Sequence, residues 1–205
     1  MTAHLRRRVD GALELRVNGV FVMDDAEASS ERLLAQVVLD LGARDVLVGG
    51  LGLGYTLRAL LDGGAGRVIV AEVEPDVVRW FADDTIPGGR ELAADPRTAI
   101  ETGDVRDIVA AQSGMSLDAI VLDVDNGPDF LVHDANAQVY EEDFIQQCAV
   151  RLRPDGHLCV WSMADSPAVR GRLRQHFERV ETHEVPVRLQ GRQESYWVLR
   201  GSRPR

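Results

Sequence analysis

From Val46 onward the chain alternates short apolar runs with helical patterns across glycine turns, and that alternation restricts the fold more than any other feature. Strands read at 46–49, 67–72, 98–101, 118–123, 156–162, 179–187 and 194–200. Helices read at about 54–62, 76–83, 105–111, 138–151 and 166–177. Strands alternating with helices over short links predict an α/β fold, a Rossmann-like sheet of seven mostly parallel strands covered on both faces. Only "RLQGRQE" separates the last two strands, so they form an antiparallel hairpin at one edge.

Ahead of this region, "LELRVNGVFVM" (13–23) alternates apolar and polar residues around Asn18-Gly19. That dipeptide favours a type I′ turn and predicts a β-hairpin. "EASSERLLAQVVLDLGA" follows, with Leu33, Leu34, Val37, Val38 and Leu41 at helical spacing and Gly42 as a stop. We divide the chain into an N-terminal hairpin segment, 1–30, and a Rossmann-like nucleoside-binding domain, 31–205. The hairpin offers an edge that a second subunit could cover, so a homodimer is one expectation.

Composition removes several functions. No apolar run approaches the roughly 20 residues of a membrane span, and the N-terminal "MTAHLRRRVDG" has no apolar stretch of the secretory kind. The cysteines, Cys148 and Cys159, read as small buried hydrophobes and form neither a disulfide framework nor a metal cluster. A cytoplasmic setting without a membrane partner or a metal fits these features. A formal charge of −10 argues against a nucleic-acid backbone as partner. All 23 basic residues are arginine, which removes lysine Schiff-base chemistry and the P-loop lysine. Between Arg106 and Arg151 acids run from Asp107 to Asp143 without an arginine. That segment reads either as an attractor of cations or as a solvated face.

In open α/β sheets, ligands bind at the carboxyl ends of strands near the switch in strand order. Four strand ends carry candidates. In "VLVGGLGLGY", Gly50, Gly52 and Gly54 form a turn between strand and helix where a ligand can approach the backbone. Glu72 ends the next strand, where an acid accepts hydrogen bonds from ribose hydroxyls; Glu74 competes for that role. Glu72 also reads as a helix N-terminal charge. Asp104 follows Gly103, placed either to accept a hydrogen bond from an adenine amino group or to cap the helix starting near Val105. At the fourth strand end, "LDVDNGPDF" (122–130) sets Asp123 and Asp125 at the tip of a buried strand. Together these features point to an adenosyl-sulfonium site.

Five stretches, "VLVGGLGLGYT", "VIVAEVEPDVV", "DPRTAIETGDVRD", "LDAIVLDVDNGP" and "NAQVYEEDFIQQCAVRLRPDGHLCVWS", follow in order the pattern of the spermidine synthases. The resemblance spans most of 46–162 and implies the class I S-adenosylmethionine-dependent methyltransferase fold, with the hairpin resembling a truncated N-terminal β-domain. It implies that Asp123 is the carboxylate at the reaction centre, Tyr140 a substrate-site residue, Glu72 the ribose acid and Asp104 the adenine acid. The activity implied is aminopropyl transfer from decarboxylated S-adenosylmethionine to a small amine, with Asp123 as base. Asp125 or Asp129 would then hold a distal ammonium, and Tyr140 would offer a hydrogen bond or an aromatic face unless it is helix packing. His133 reads as a surface residue, and Trp161 and Ser162 as pocket lining or, for Trp161, core.

The chain departs from the family pattern in two places. Leu53 stands where G-G-G-D-G-G carries an acid that would repel the carboxylate of ordinary S-adenosylmethionine, and Asp125 is displaced by one residue from the family's second acid. The donor therefore stays open between the two forms. Methyl transfer from S-adenosylmethionine to a cationic or neutral acceptor, or a non-catalytic nucleoside-binding role, are the alternatives.

Overall fold

The computed structural model describes residues 2–124, 127, 128, 131, 134–189 and 192–205. Three N-terminal strands, β1 (Ala3–Arg7), β2 (Leu13–Val17) and β3 (Val20–Asp24), form an antiparallel sheet in that order. The β2–β3 turn has positive φ at both Asn18 and Gly19, as the type I′ reading requires. Strand β1 was not among the expected elements. It pairs along its length with β2 but turns His4, Arg6 and Arg7 away from full burial, so its arginines hide the strand pattern.

Helix α1 (Ser29–Leu39) links this sheet to a larger one. It buries Leu34, Ala35 and Val38, while Leu33 and Leu41, expected on its apolar face, are among the exposed hydrophobics. The alternation then runs β4 (Asp45–Gly49), α2 (Tyr55–Asp62), β5 (Arg67–Glu72), α3 (Pro75–Ala82), α4 (Gly89–Ala94), β6 (Thr98–Thr102), α5 (Val105–Ala111) and β7 (Leu117–Leu122). After a 3₁₀ turn at Asp134–Tyr140 come α6 (Glu142–Arg151), β8 (Leu152–Ser162), α7 (Pro167–His176), β9 (Phe177–Leu189) and β10 (Arg192–Pro204). The helix expected from 138 thus begins as this tighter turn, and α4 is an unexpected short element.

The seven strands lie in the order β6-β5-β4-β7-β8-β10-β9. All neighbours from β6 to β8 are parallel, and β10 is antiparallel to both β8 and β9. This is the Rossmann-like, mostly parallel sheet expected, with the last hairpin folded so that β10 enters the sheet and β9 becomes its edge. Alternate residues of each central strand serve opposite faces. Val46, Val48, Val68 and Val70 join one buried cluster; Leu47, Ile69, Ile120 and Leu122 join the other. Both faces are covered, which is why these strands read as continuous apolar runs. Leu13, Leu15 and Val17 of the small sheet belong to the same cluster as Leu34, Trp161 and Val198, so that sheet closes over one end of the large one. Cys148 and Cys159 are free and buried, and burial pushes both thiols up from their ordinary acidity. Among the described residues no helix is long and apolar enough to cross a membrane.

Asp118 closes the amino ends of β4 and β7. One of its carboxylate oxygens accepts from the backbone N–H groups of Arg44 (2.9 Å) and Asp45 (2.8 Å), and the other pairs with Arg153, whose guanidinium also reaches Asp45 at 2.9 Å. Asp118→Ala leaves two amides without their acceptor and Arg153 with Asp45 alone. We expect a loss of about 1–2 kcal/mol, measured as a lower urea midpoint at unchanged slope.

Candidate functional site

The chain moves outward from β4 through β5 to β6 and then returns to the other side of β4 with β7. A crevice opens at the carboxyl ends where such a reversal occurs. Here a cleft enclosing about 1080 Å³, its open mouth included, runs across the tips of β4, β5 and β7 and under the N-terminal sheet.

The glycine loop forms the floor. Gly50 donates its N–H to Ala71 at 2.8 Å, and Asp123 donates its own to Gly49 at 2.9 Å, tying the three strand tips together. Gly50 has φ +94°, and a Cβ there would overlap the carbonyl oxygen of Asp123. Only glycine lets the loop turn this close to the β7 tip. At Gly52 a Cβ would meet Met23 Sδ at 2.6 Å, and the same sulfur accepts the N–H of Leu53 at 3.2 Å. The N-terminal sheet thus lies directly on the loop. Leu53 is buried in the cluster beneath and does not line the cleft. Gly54 is the left-handed residue before α2.

Glu72 lies buried at the end of β5. Its carboxylate accepts from the N–H of Leu51 at 2.9 Å and of Glu74 at 2.8 Å. Burial holds its acidity weaker than usual, opposed by these backbone donors. Glu72 therefore braces the glycine loop while lining the cleft, and Glu74 is buried beside it. Asp104 lines the same end. It caps α5 by accepting from Arg106 N at 2.8 Å and is gripped by the Arg106 guanidinium at 2.5 Å, a pairing that holds its carboxyl below the usual range. The capping reading of Asp104 holds in the structure; lone pairs facing a ligand are compatible with it.

At the centre stands Asp123, half-buried just past β7, accepting from the Thr56 hydroxyl at 2.8 Å. Burial pushes its carboxyl up to about 7, the negative charge of Glu31 adds to the rise, and the Thr56 hydrogen bond opposes it. Glu31, in the first turn of α1, lines the cleft as well. Its carboxylate accepts from Ser30 Oγ at 2.8 Å, and burial raises its pKa too. Among the described residues neither acid makes an ion pair. Leu15, Val17, Val22, Met23 and Trp161 form an apolar wall around this end. Trp161 stacks edge-on against Tyr196 with centroids 4.8 Å apart, and burial and the acids around Tyr196, Glu31 first among them, push that phenol up to about 12.

The structure thus brings Gly50, Gly52, Glu72, Asp104 and Asp123 around one cleft. Tyr140 is not among the described residues that line it. That side chain is buried in the cluster behind β7 and donates its hydroxyl to the Val124 carbonyl at 2.8 Å; it supports the strand tip from behind, as the packing reading of this residue has it. Asp125, Asp129 and His133 lie outside the described residues. The acidic segment from Asp107 to Asp143 is not one face. Asp118 sits at the opposite end of β7, and Glu141 and Glu142 pair with Arg172 and His176. Three cleft residues, Met23, Glu31 and Thr56, were not among the expected site residues. Among the described residues no group of three or more His, Cys, Asp or Glu is placed to hold a metal ion.

Neither a family model nor a curated protein matches the sequence, whereas solved structures match the fold. A spermidine synthase in complex with the transition state analogue AdoDATO superposes with a TM-score of 0.81 at 20% identity, covering 98% of this chain and 69% of that one. The spermidine synthase from Thermotoga maritima gives 0.78 at 19%, covering 98% and 68%. A probable spermidine synthase from Corynebacterium glutamicum gives 0.70 at 19%, covering 98% and 76%. The chain is similar in fold to these proteins over nearly its whole length.

The raised acidity constant of Asp123 has a consequence for stability. Its folded value, about 7, exceeds the ordinary 3.8, so between those values the folded state holds the proton more tightly and stability falls as pH rises. Asp123→Asn removes this loss. Thermal melts should show the variant gaining on the parent from pH 4 to pH 8, with the gap flat below pH 4.

Proposed function

We propose that the cleft binds an adenosyl-sulfonium donor and transfers its aminopropyl group to a small amine, the reaction implied by the resemblance to spermidine synthases. The observation that carries this reading is the position of Asp123. It lines one cleft together with the glycine loop, the strand-end acids Glu72 and Asp104, a set of apolar side chains and a second acid, Glu31.

In this reading Glu72 receives the ribose hydroxyls with the lone pairs its backbone donors leave, and Asp104, steadied by Arg106, receives the adenine amino group. Gly50 and Gly52 let the nucleoside lie against the main chain. Asp123 attracts the acceptor ammonium and takes a proton from it, directly or through water. The ligand-free carboxyl stands near 7, so at neutral pH part of the Asp123 population is ionised and able to attract the ammonium. The freed nitrogen lone pair forms the new N–C bond in line as the C–S bond breaks. The electron pair leaves on sulfur, giving a neutral thioether, methylthioadenosine. Tyr140 and Thr56 act as positioning residues, one through the Val124 carbonyl and one through the Asp123 carboxylate.

Methyl transfer from S-adenosylmethionine to a cationic or neutral acceptor is the second reading, favoured by Leu53, which leaves the glycine loop without an acid. The two separate by product: methylthioadenosine in one case, S-adenosylhomocysteine in the other. The direct experiment incubates the protein with each donor and a panel of mono- and diamines, then identifies the nucleoside formed by chromatography. Nucleoside binding without either product would leave a binding protein.

Two variants test the roles. Asp123→Asn should keep methylthioadenosine affinity within about threefold while lowering the transfer rate by roughly 10²–10⁴, the usual worth of a positioned base; equal turnover would remove Asp123 from that role. Thr56→Val deletes the hydrogen bond that favours the ionised carboxylate. The acidic limb of the pH–rate profile should move to higher pH, with methylthioadenosine affinity unchanged.

A further inference from the structure

Leu53 raises a question that the glycine loop does not answer. By the resemblance to spermidine synthases, an acid in this loop would repel the carboxylate of ordinary S-adenosylmethionine and so select the decarboxylated form. Here the position holds a buried leucine facing the core, and from the loop alone the selection is lost.

The opposite side of the cleft holds a carboxylate. Glu31 lines the cleft from the first turn of α1, together with Leu15, Val17, Val22 and Met23 of the N-terminal sheet. Glu31 and Asp123 line the same cleft, so the two carboxylates face one region of space. No ion pair among the described residues neutralises either. The walls around them are apolar, Leu15, Val17, Val22 and Met23, and charge–charge forces act more strongly beside such walls than in open water. With the adenosine at Glu72 and Asp104 and the sulfonium beside Asp123, the donor's tail would share the rest of the cleft with Glu31. An aminopropyl tail brings only an ammonium there, which both acids attract. An amino-acid tail brings a carboxylate as well, which both repel.

We propose that Glu31 is the donor-specificity residue, supplying from helix α1 the negative charge that Leu53 removes from the glycine loop, so that this cleft still prefers the decarboxylated donor. The proposal rests on the adenosyl-donor reading above and deepens it. A carboxylate on α1 does the work of one on the loop because repulsion depends on where the charge stands and not on which element carries it.

Calorimetric titration of the full chain with three nucleosides tests this. Decarboxylated S-adenosylmethionine and S-adenosylmethionine differ by the carboxylate alone, and methylthioadenosine carries no charged tail. The parent protein should bind the decarboxylated donor about tenfold or more tightly than S-adenosylmethionine, the effect of one like-charge contact in a partly dry cleft. Glu31→Gln should bring that ratio to within about threefold, chiefly by tightening S-adenosylmethionine relative to its decarboxylated form, and should leave methylthioadenosine affinity unchanged. Glu31→Asp, which keeps the charge, should retain most of the preference and serves as the second variant if the first does not fold. A parent without the preference, or a Glu31→Gln variant that keeps it in full, overturns the proposal while leaving the nucleoside reading intact. Failure of the parent to bind methylthioadenosine overturns the nucleoside reading and this inference with it.

Discussion

A buried carboxylate among backbone amides holds the site together. Glu72 is taken out of water at the end of β5, a costly placement for a charge unless donors compensate. The donors are the N–H groups of Leu51 and Glu74, one from the glycine loop and one from the turn into α3. Those contacts set the loop's height above the sheet, and that height decides the rest. Gly50 passes against the Asp123 carbonyl where no side chain fits, and Gly54 turns the chain into α2 so that Thr56 meets the Asp123 carboxylate. The cleft floor is therefore one connected object, in which a shift at β5 is felt at β7.

Features that follow from chain-local physics could be read in the sequence. The alternation of apolar strands and helices, the Asn18-Gly19 turn and the acids at successive strand ends each depend on neighbours within a few residues. That a ligand site lies at the switch in strand order follows from the rule for open sheets, but the switch itself, between β4 and β7, is seen only in the structure. What could not be read comes from convergence of distant segments. Thr56 and Asp123 are 67 residues apart, and no spacing announces their contact. Glu31 looks like any acid in a first helical turn, where the helix dipole favours one for its own reasons. Met23 has the pattern of an ordinary strand residue until its sulfur is found on the Leu53 amide. Asp118 misled in the other direction, since an acid-rich stretch suggests one charged face while β7 carries Asp118 and Asp123 to opposite ends. Tyr140 donates its hydroxyl to the carbonyl of Val124, a cleft residue 16 positions earlier, and no spacing announces that contact either.

The N-terminal sheet changes the electrostatics of the cleft more than its size suggests. Its apolar residues share a cluster with Trp161 and Leu34, so it is packed onto the large domain and removes water from one side of Asp123 and Glu31. Removing water raises the energy of both carboxylates in their charged form and strengthens the repulsion between them. The upward displacement of Asp123, first through burial and then through Glu31, records both effects. A chain that needed only stability would not place two like charges beneath an apolar roof with hydroxyl donors but, among the described residues, no ion pair.

That arrangement becomes favourable when a cation enters. A positive group between Asp123 and Glu31 screens their repulsion and takes the place of the lost water, so each carboxylate is drawn back toward its ordinary acidity. Binding therefore carries proton release, and the two are linked: the pH at which the cleft ionises falls as the cation is held. In the proposed reaction, Asp123 would attract the acceptor ammonium most strongly in its ionised form. Thr56, by stabilising the ionised form, keeps part of the Asp123 population ready for that event near neutral pH. The roof, the helix acid and the hydroxyl thus act on a single quantity, the free energy of the charge on Asp123, and the glycine loop holds that charge where a ligand can reach it.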